Sequence, residues 1–490
     1  MAIVKVSSED MKVVSSAILS LCEYFRELSA KNNRKITFYI HTYGCQLNES
    51  DSEKLHAMCL AMGLEYSKDE HADVVLFNTC AIRENAEDRL FGNLGAYKSE
   101  KISNRNMIIA VCGCMMKIED NVSRIKNSFP YVDLVFDPQQ LHKFPLLLLS
   151  SINRKKQLIE VGDVDYITDD SLVPPNRLRK FRALVPIMYG CNNFCTYCVV
   201  PNARGRERSR EFQPIINEIT TLAREGYKEV MLLGQNVNSY GKDAGFKETF
   251  PDLLRAISNI EGLSRVRFMT SHPKDLNREV IDIMATCKNI ETHLHLPVQS
   301  GSDAILTRMN RHYNREQYLE IVRYFRSIVP NGSISTDIIV GFPGETEEDF
   351  QDTLSLVDEV KYDSAFTFQY SPRPGTEAAK YEDQIPHDVV TERFGRLLKL
   401  QNELTYESNQ RLIGSLQEVL IEGESSTATN ILTGRTRSNH LVNFTIPDSL
   451  KGEGEGEFDA SSYEGKLCNV KITNARPYSV EGLMENLIDG

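Results

Sequence analysis

Between residues 183 and 371 six short apolar runs recur, "ALVPIMYG", "EVMLLGQNV", "RVRFMTS", "ETHLHLPVQS", "ISTDIIVGF" and "SAFTFQYS", separated by segments of helical pattern such as "PIINEITTLAREG". Parallel strands cannot be joined by tight turns; each pair needs a crossover, usually a helix, and the crossover has a fixed hand. A regular strand-helix alternation therefore curls a parallel sheet round on itself. It predicts an α/β fold with a complete or partial (β/α)6 barrel over residues 183–408, with its chemistry at the C-terminal ends of the strands.

A chain of 490 residues is too long for one core, so flanking domains are expected. From "KITFYIHTYGC" onward, β-branched runs such as "ADVVLFNTC", "MIIAVCGC" and "VDLVFD" alternate with helical stretches such as "DSEKLHAMCLAMG". They predict a separate α/β domain with a parallel sheet over residues 35–167. Residues 1–34 read as an N-terminal extension, and the polar, Pro-containing stretch 168–182 reads as a linker. Residues 409–482 carry closely spaced strands and Gly-rich turns, predicting a five-stranded β module like an oligonucleotide-binding barrel. Within it, "KGEGEGEFDASS" reads as an acidic, solvated loop.

The longest apolar patch, "FPLLLLSSI", falls far short of the roughly 20 residues that span a bilayer. The N-terminus lacks the basic start and apolar run of a secretory signal. A cytoplasmic protein without a membrane partner, and a monomer, is expected.

In a reducing compartment clustered cysteines point to metal or catalysis rather than disulfides. "CNNFCTYC" places Cys191, Cys195 and Cys198 directly after the first barrel strand, in a chain with 11 cysteines. Structural zinc normally takes four protein ligands, and no second Cys-x-x-Cys pair follows Cys198 at the usual distance. A cubane iron-sulfur cluster on three thiolates leaves one iron open to another ligand. Zinc or buried free thiols are the alternatives. A second set, Cys45, Cys80 and Cys114, is spaced 35 and 34 residues apart, one strand-helix unit each. Every member falls at or just after a predicted strand end, where parallel order would gather all three in one crevice. Cys112 is a rival to Cys114. Cys22, Cys59, Cys287 and Cys468 read as small buried hydrophobes.

The C-x-x-x-C-x-x-C spacing, with Tyr197 before the last cysteine, resembles the signature of radical S-adenosylmethionine enzymes. "TYGCQLN", "NTCAIRENA" and the Gly113-Cys114 pair are similar to the N-terminal motifs of the methylthiotransferase family. "GRERSR", "SHPKD", "MNRHYNREQY", "STDIIVGFPGETEEDF" and "YSPRPGTEAA" are similar to its radical-domain elements. "GQNVNSYG" and "PVQSGSD" resemble the branch acting on N6-isopentenyladenosine in tRNA. Other branches act on threonylcarbamoyladenosine in tRNA or on a ribosomal protein side chain.

The resemblance implies two [4Fe-4S] clusters, one on Cys191, Cys195 and Cys198 and an auxiliary one on Cys45, Cys80 and Cys114. It implies S-adenosylmethionine as methyl donor and as the source of a 5'-deoxyadenosyl radical, and methylthiolation at position 2 of the modified adenosine beside the anticodon. It also implies a C-terminal TRAM domain, an electron donor of flavodoxin or ferredoxin type, and a sulfur source. A zinc-stabilised RNA-binding protein is the non-enzymatic alternative.

S-adenosylmethionine contacts are expected from Gly234, Gln235 and Asn236 after the second barrel strand and from Gln299 and Ser300 after the fourth, against the alternative of ordinary turn chemistry. Glu345 reads as part of a turn and helix cap, and His293 and His295 as packing inside the barrel. The net charge is -12, and residues 411–476 hold seven Lys and Arg against nine Asp and Glu, a poor field for phosphates. The basic runs "NRLRKFR", "RGRERSR" and "RMNRHYNR", with Arg435, Arg437 and Arg476, are the expected tRNA contacts.

Overall fold

The computed structural model describes residues 3–81, 84–154, 156–162, 165–167, 173–243, 245–426, 428–447 and 459–488. Its N-terminal domain is a six-stranded parallel sheet. The spatial order is Glu65–Tyr66, Thr37–Thr42, Val74–Thr79, Ile108–Gly113, Leu134–Phe136 and Leu158–Glu160. Val74–Thr79 and Ile108–Gly113 are buried at every position, as strands covered on both faces must be. The chain order reverses at Thr37–Thr42, and the crevice beyond the carboxyl ends beside such a switch point is the usual ligand position in an open α/β sheet.

Of residues 1–34, read from the sequence as an extension, the described ones from residue 3 on are built into this domain. Strand Ile3–Lys5 pairs with Asp165–Ile167, and helix Ser8–Asn32 buries Val14, Ala17, Leu21 and Phe25. Leu21 and Phe25 join the sheet's own core with Phe38, Leu55 and Phe144. The capping box between Ser7 and Asp10 starts that helix.

The middle domain contains the six expected parallel strands in two groups of three. Arg182–Pro186, Glu229–Leu233 and Arg265–Phe268 form one group, and His293–His295, Ser333–Val340 and Ser364–Gln369 the other. A single bridge, Val266 to Ile290, continues the sheet between them. Among the described residues no ladder joins Arg182–Pro186 to Ser364–Gln369, so the barrel is partial. The N-terminal domain packs on the Arg182 side, where Leu47 joins Leu184, Tyr189, Met231 and Leu233. Part of the expected linker lies outside the described residues. Its end is pinned: Arg177 donates to Glu53 at 3.0 Å and to Glu218 at 2.6 Å.

The C-terminal module is a closed five-stranded barrel. Its last strand, Val480–Ile488, runs past the expected limit of 482. Most of the acidic insert lies outside the described residues. The module docks on the N-terminal ends of the middle domain's strands: Arg265 donates to the Arg435 carbonyl at 2.7 Å and Arg267 to the Thr436 carbonyl at 2.9 Å. Arg437 returns a bond to the Ile290 carbonyl at 2.9 Å. Buried Arg267 is shared by Glu229 and Glu291, each at 2.8 Å.

Candidate active site

The three parallel strands Thr37–Thr42, Val74–Thr79 and Ile108–Gly113 lie side by side, so the residues just past their carboxyl ends are gathered at one sheet edge. Cys45 is the N-cap residue of helix Gln46–Ala61, Cys80 directly follows its strand, and Cys114 opens the turn Cys114–Lys117. Gly44 has φ +122°, and a Cβ there would stand 2.4 Å from the Cys80 Cβ, so only glycine lets the loops approach this closely. Asn48 ties the loops together by donating to the Tyr43 carbonyl at 3.0 Å and the Thr79 carbonyl at 2.8 Å.

The second triad sits on the loop after the first barrel strand. Thr196 N–H donates to the Met309 carbonyl at 3.1 Å, and Asn310 donates to the Phe194 carbonyl at 3.0 Å, which clamps the loop to the segment after helix Asp303–Arg308. Exposed Phe194 lies under the Arg206 guanidinium, 4.2 Å from the ring centre.

Both triads open on one cavity of about 280 Å³ between the two domains, lined by Cys45, Cys80, Cys114, Cys191, Cys195 and Cys198. Burial pushes the Cys191 thiol up to about 11 and those of Cys114 and Cys198 up to about 12. Cys112, the rival to Cys114, is 0% exposed in the sheet core and is not on the cavity wall. Among the described residues no three His, Cys, Asp or Glu side chains converge tightly enough to hold one metal ion.

Each triad has a buried arginine on one sulfur. Arg204 donates from Nε to Cys114 Sγ at 2.8 Å, and its other nitrogens reach Asp51 at 2.6 Å and Asn48 at 3.0 Å. Arg311 donates to Cys195 Sγ at 3.3 Å and to the Pro297 carbonyl at 2.9 Å. A guanidinium beside thiolates offsets the charge that several anionic sulfurs accumulate.

Of the five residues expected to contact S-adenosylmethionine, Gly234, Gln235 and Gln299 line the cavity. Asn236 and Ser300 are not brought to its wall. Asn236 donates to Asp275 at 2.7 Å and Ser300 meets Thr353 at 3.3 Å, both fully buried. Gln235 Oε1, Ser271 Oγ and His272 Nε2 are buried polar atoms of cavity-lining residues that lack a partner among the described residues. Burial beside Arg311 lowers the His272 pKa to about 2 and keeps the ring neutral. Its Nδ1 accepts from Lys274 N–H at 3.2 Å, so the proton sits on Nε2, the atom left without a partner. Unpaired donors and acceptors in one cavity suit a zwitterionic ligand.

Glu345 accepts from Gly341 N–H at 2.9 Å and pairs with Arg393 at 3.0 Å, and Thr346 with Asp349 forms a capping box. His293 and His295 both meet Ser335 Oγ, at 2.8 and 2.9 Å, on the barrel's inner face.

The basic runs expected to contact RNA are largely consumed inside the protein. Arg177, Arg204, Arg210 and Arg311 are buried in the bonds of the domain interface and the cavity. Arg308 pairs with Asp383 and Arg315 with Glu359. Arg435 lies 3.3 Å from Glu422 of its own barrel, and Arg437 lies 3.7 Å from Glu291 of the middle domain. Arg476 is exposed and paired with Glu481 at 2.8 Å.

The partial barrel with a three-cysteine loop after its first strand defines a radical S-adenosylmethionine enzyme, and residues 185–357 match the Radical SAM superfamily. Residues 37–137 match the uncharacterized protein family UPF0004. The tRNA-2-methylthio-N(6)-dimethylallyladenosine synthase of Clostridium botulinum (strain Loch Maree / Type A3) is 51% identical over 91% of this chain and 96% of its own length. That of Alkaliphilus oremlandii (strain OhILAs) is 50% identical over 98% of each chain. The chain belongs to the tRNA-2-methylthio-N(6)-dimethylallyladenosine synthase family. The solved radical S-adenosylmethionine methyltransferase TsrM from Kitasatospora setae shares the fold, with TM-score 0.50 and 13% identity over 70% of this chain and 74% of that one. Among the described residues no helix is long and apolar enough to cross a membrane.

Proposed function

We propose that this chain methylthiolates position 2 of N6-isopentenyladenosine beside the anticodon of tRNA, with S-adenosylmethionine and two [4Fe-4S] clusters. The observation that carries the reading is the opening of both cysteine triads on one cavity. Cys191, Cys195 and Cys198 would hold one cluster, and Cys45, Cys80 and Cys114 the other. When bound, these groups supply single electrons and sulfur, the means of replacing hydrogen on an aromatic carbon that no side-chain acid or base can provide.

The protein's own part is binding and exclusion. Gln235 Oε1 would accept from the ammonium of S-adenosylmethionine, and Ser271 Oγ and His272 Nε2–H would donate to its carboxylate or ribose. Arg204 and Arg311, which also line the cavity, hold Cys114 and Cys195 in place. The apolar wall of Leu47, Val199, Val200 and Leu233 limits water in the cavity, which a carbon radical requires. Electrons would come from a flavodoxin- or ferredoxin-type donor, and sulfur from an external source.

The test is nucleoside mass spectrometry of isopentenylated tRNA incubated anaerobically with reconstituted enzyme, reductant and S-adenosylmethionine. The 2-methylthio product is expected; its absence with about eight irons per chain bound would overturn the reading.

A further inference from the structure

The open side of the partial barrel carries two exposed phenylalanines on the edge strand Ser364–Gln369. Phe366 is 51% and Phe368 42% exposed. Alternation along a strand places them on one face and Ala365 on the other, and Ala365 packs against the main core. The phenylalanine face is the inner one. The Phe366 ring stands edge-on to His295, centroids 5.9 Å apart, and Phe366 is paired in register with Asp337. His295 Nε2 lies 3.6 Å from Asp337, and Asp337 lines the cavity of the six cysteines. Asp337 thus stands between the cysteine-lined cavity and the strand that carries the two half-exposed aromatic rings.

Edge strands with exposed apolar side chains invite aggregation, and proteins ordinarily blunt them with charge. Here the other edge of the barrel is covered by the N-terminal domain, whereas this one presents rings beside the reaction cavity. Single-stranded RNA bases are received by turning them out and stacking them on aromatic side chains. An adenine bearing a five-carbon apolar substituent offers both a π face to stack and a hydrocarbon to bury.

We propose that Phe366 and Phe368 form the wall that receives the N6-isopentenyladenine base of tRNA and gives the enzyme its preference for the isopentenylated form. The inference rests on the function proposed above and assigns the substrate-facing surface of that same cavity.

The experiment measures binding of a labelled anticodon stem-loop RNA, with and without the isopentenyl group, to reconstituted enzyme with S-adenosylmethionine at one fixed salt concentration. The label is on the RNA because the chain contains no tryptophan. Phe366→Ala and Phe368→Ala are expected to weaken the isopentenylated stem-loop by roughly tenfold each. They should narrow the preference over the unmodified one and leave S-adenosylmethionine binding unchanged. Phe366→Tyr, which keeps the ring, should bind nearly as wild type. The inference is overturned if the alanine variants keep wild-type affinity, lose both stem-loops equally or lose S-adenosylmethionine, or if the tyrosine variant falls with the alanine one. If the wild type itself shows no preference and forms no methylthio product, the proposed function has failed first, and the inference falls with it.

Discussion

Arg204 is the side chain on which the two domains' chemistry meets, so its removal has a calculable consequence. It leaves the end of the short helix Val200–Arg204, just past the second cysteine loop, and crosses to the N-terminal domain. There it pairs with Asp51 at 2.6 Å, both side chains only 6% exposed. Arg204→Met strands a buried carboxylate and leaves Asn48 Oδ1 with only the Cys45 thiol, at 3.6 Å, as donor. Breaking a buried pair from one side costs about 3 to 5 kcal/mol, whereas replacing both members by apolar groups of similar volume is close to neutral. The single variant should lower the melting temperature of the metal-free protein by roughly 6 to 20 °C if the affected domain unfolds as a unit of about 150 to 250 residues, and by only about 3 to 5 °C if the whole chain unfolds together. Arg204→Met with Asp51→Leu should recover most of that loss. Scanning calorimetry of the two variants against wild type, under anaerobic conditions, checks both numbers. If the double variant melts as low as the single one, the stranded charge is not the cause. If the single variant melts with the wild type, the interface does not depend on this pair.

Cys80→Ala should retain about half the bound iron and still cleave S-adenosylmethionine to deoxyadenosine, but form no methylthio product; loss of both activities would mean the two triads do not work separately. Gly44→Val should lower iron occupancy in the same half, because its side chain would occupy the space of Cys80, while the iron signal of the Cys191 triad persists. Glu291, buried between Arg267 and the C-terminal module, has its carboxyl pushed up to about 7 by desolvation. Its folded value lies above the unfolded one, so its contribution to stability is complete below about pH 4.5 and is lost as pH rises through about 7. Glu291→Gln should therefore flatten the stability profile between those limits in urea titrations; an unchanged slope would assign it elsewhere.

The contrast between cysteines and arginines separates local pattern from tertiary choice. The three cysteines of "CNNFCTYC" are within eight residues, and their spacing alone brings them together. Cys45, Cys80 and Cys114 are separated by whole strand-helix units, yet each marks the end of a parallel strand, and the topology that collects strand ends is itself a pattern in the sequence. The arginines follow no such rule. "RGRERSR" has the look of a phosphate-binding run, but Arg204 and Arg210 point inward because Asp51 and Glu218 wait there. A charged residue's burial depends on a partner that local sequence does not reveal.

By itself the sequence determined the strand-helix alternation, the β module and the two sets of thiols, because hydrophobic period and residue spacing are local quantities. Tertiary structure alone decided that both sets share one cavity and that His272 presents an unpaired N–H to it. It alone decided that Asn236 and Ser300 turn away, and that the C-terminal barrel seals the opposite end. Those outcomes depend on how finished domains pack, where contacts such as the 153-residue span from Asp51 to Arg204 are chosen by shape and charge complementarity that no window of sequence contains.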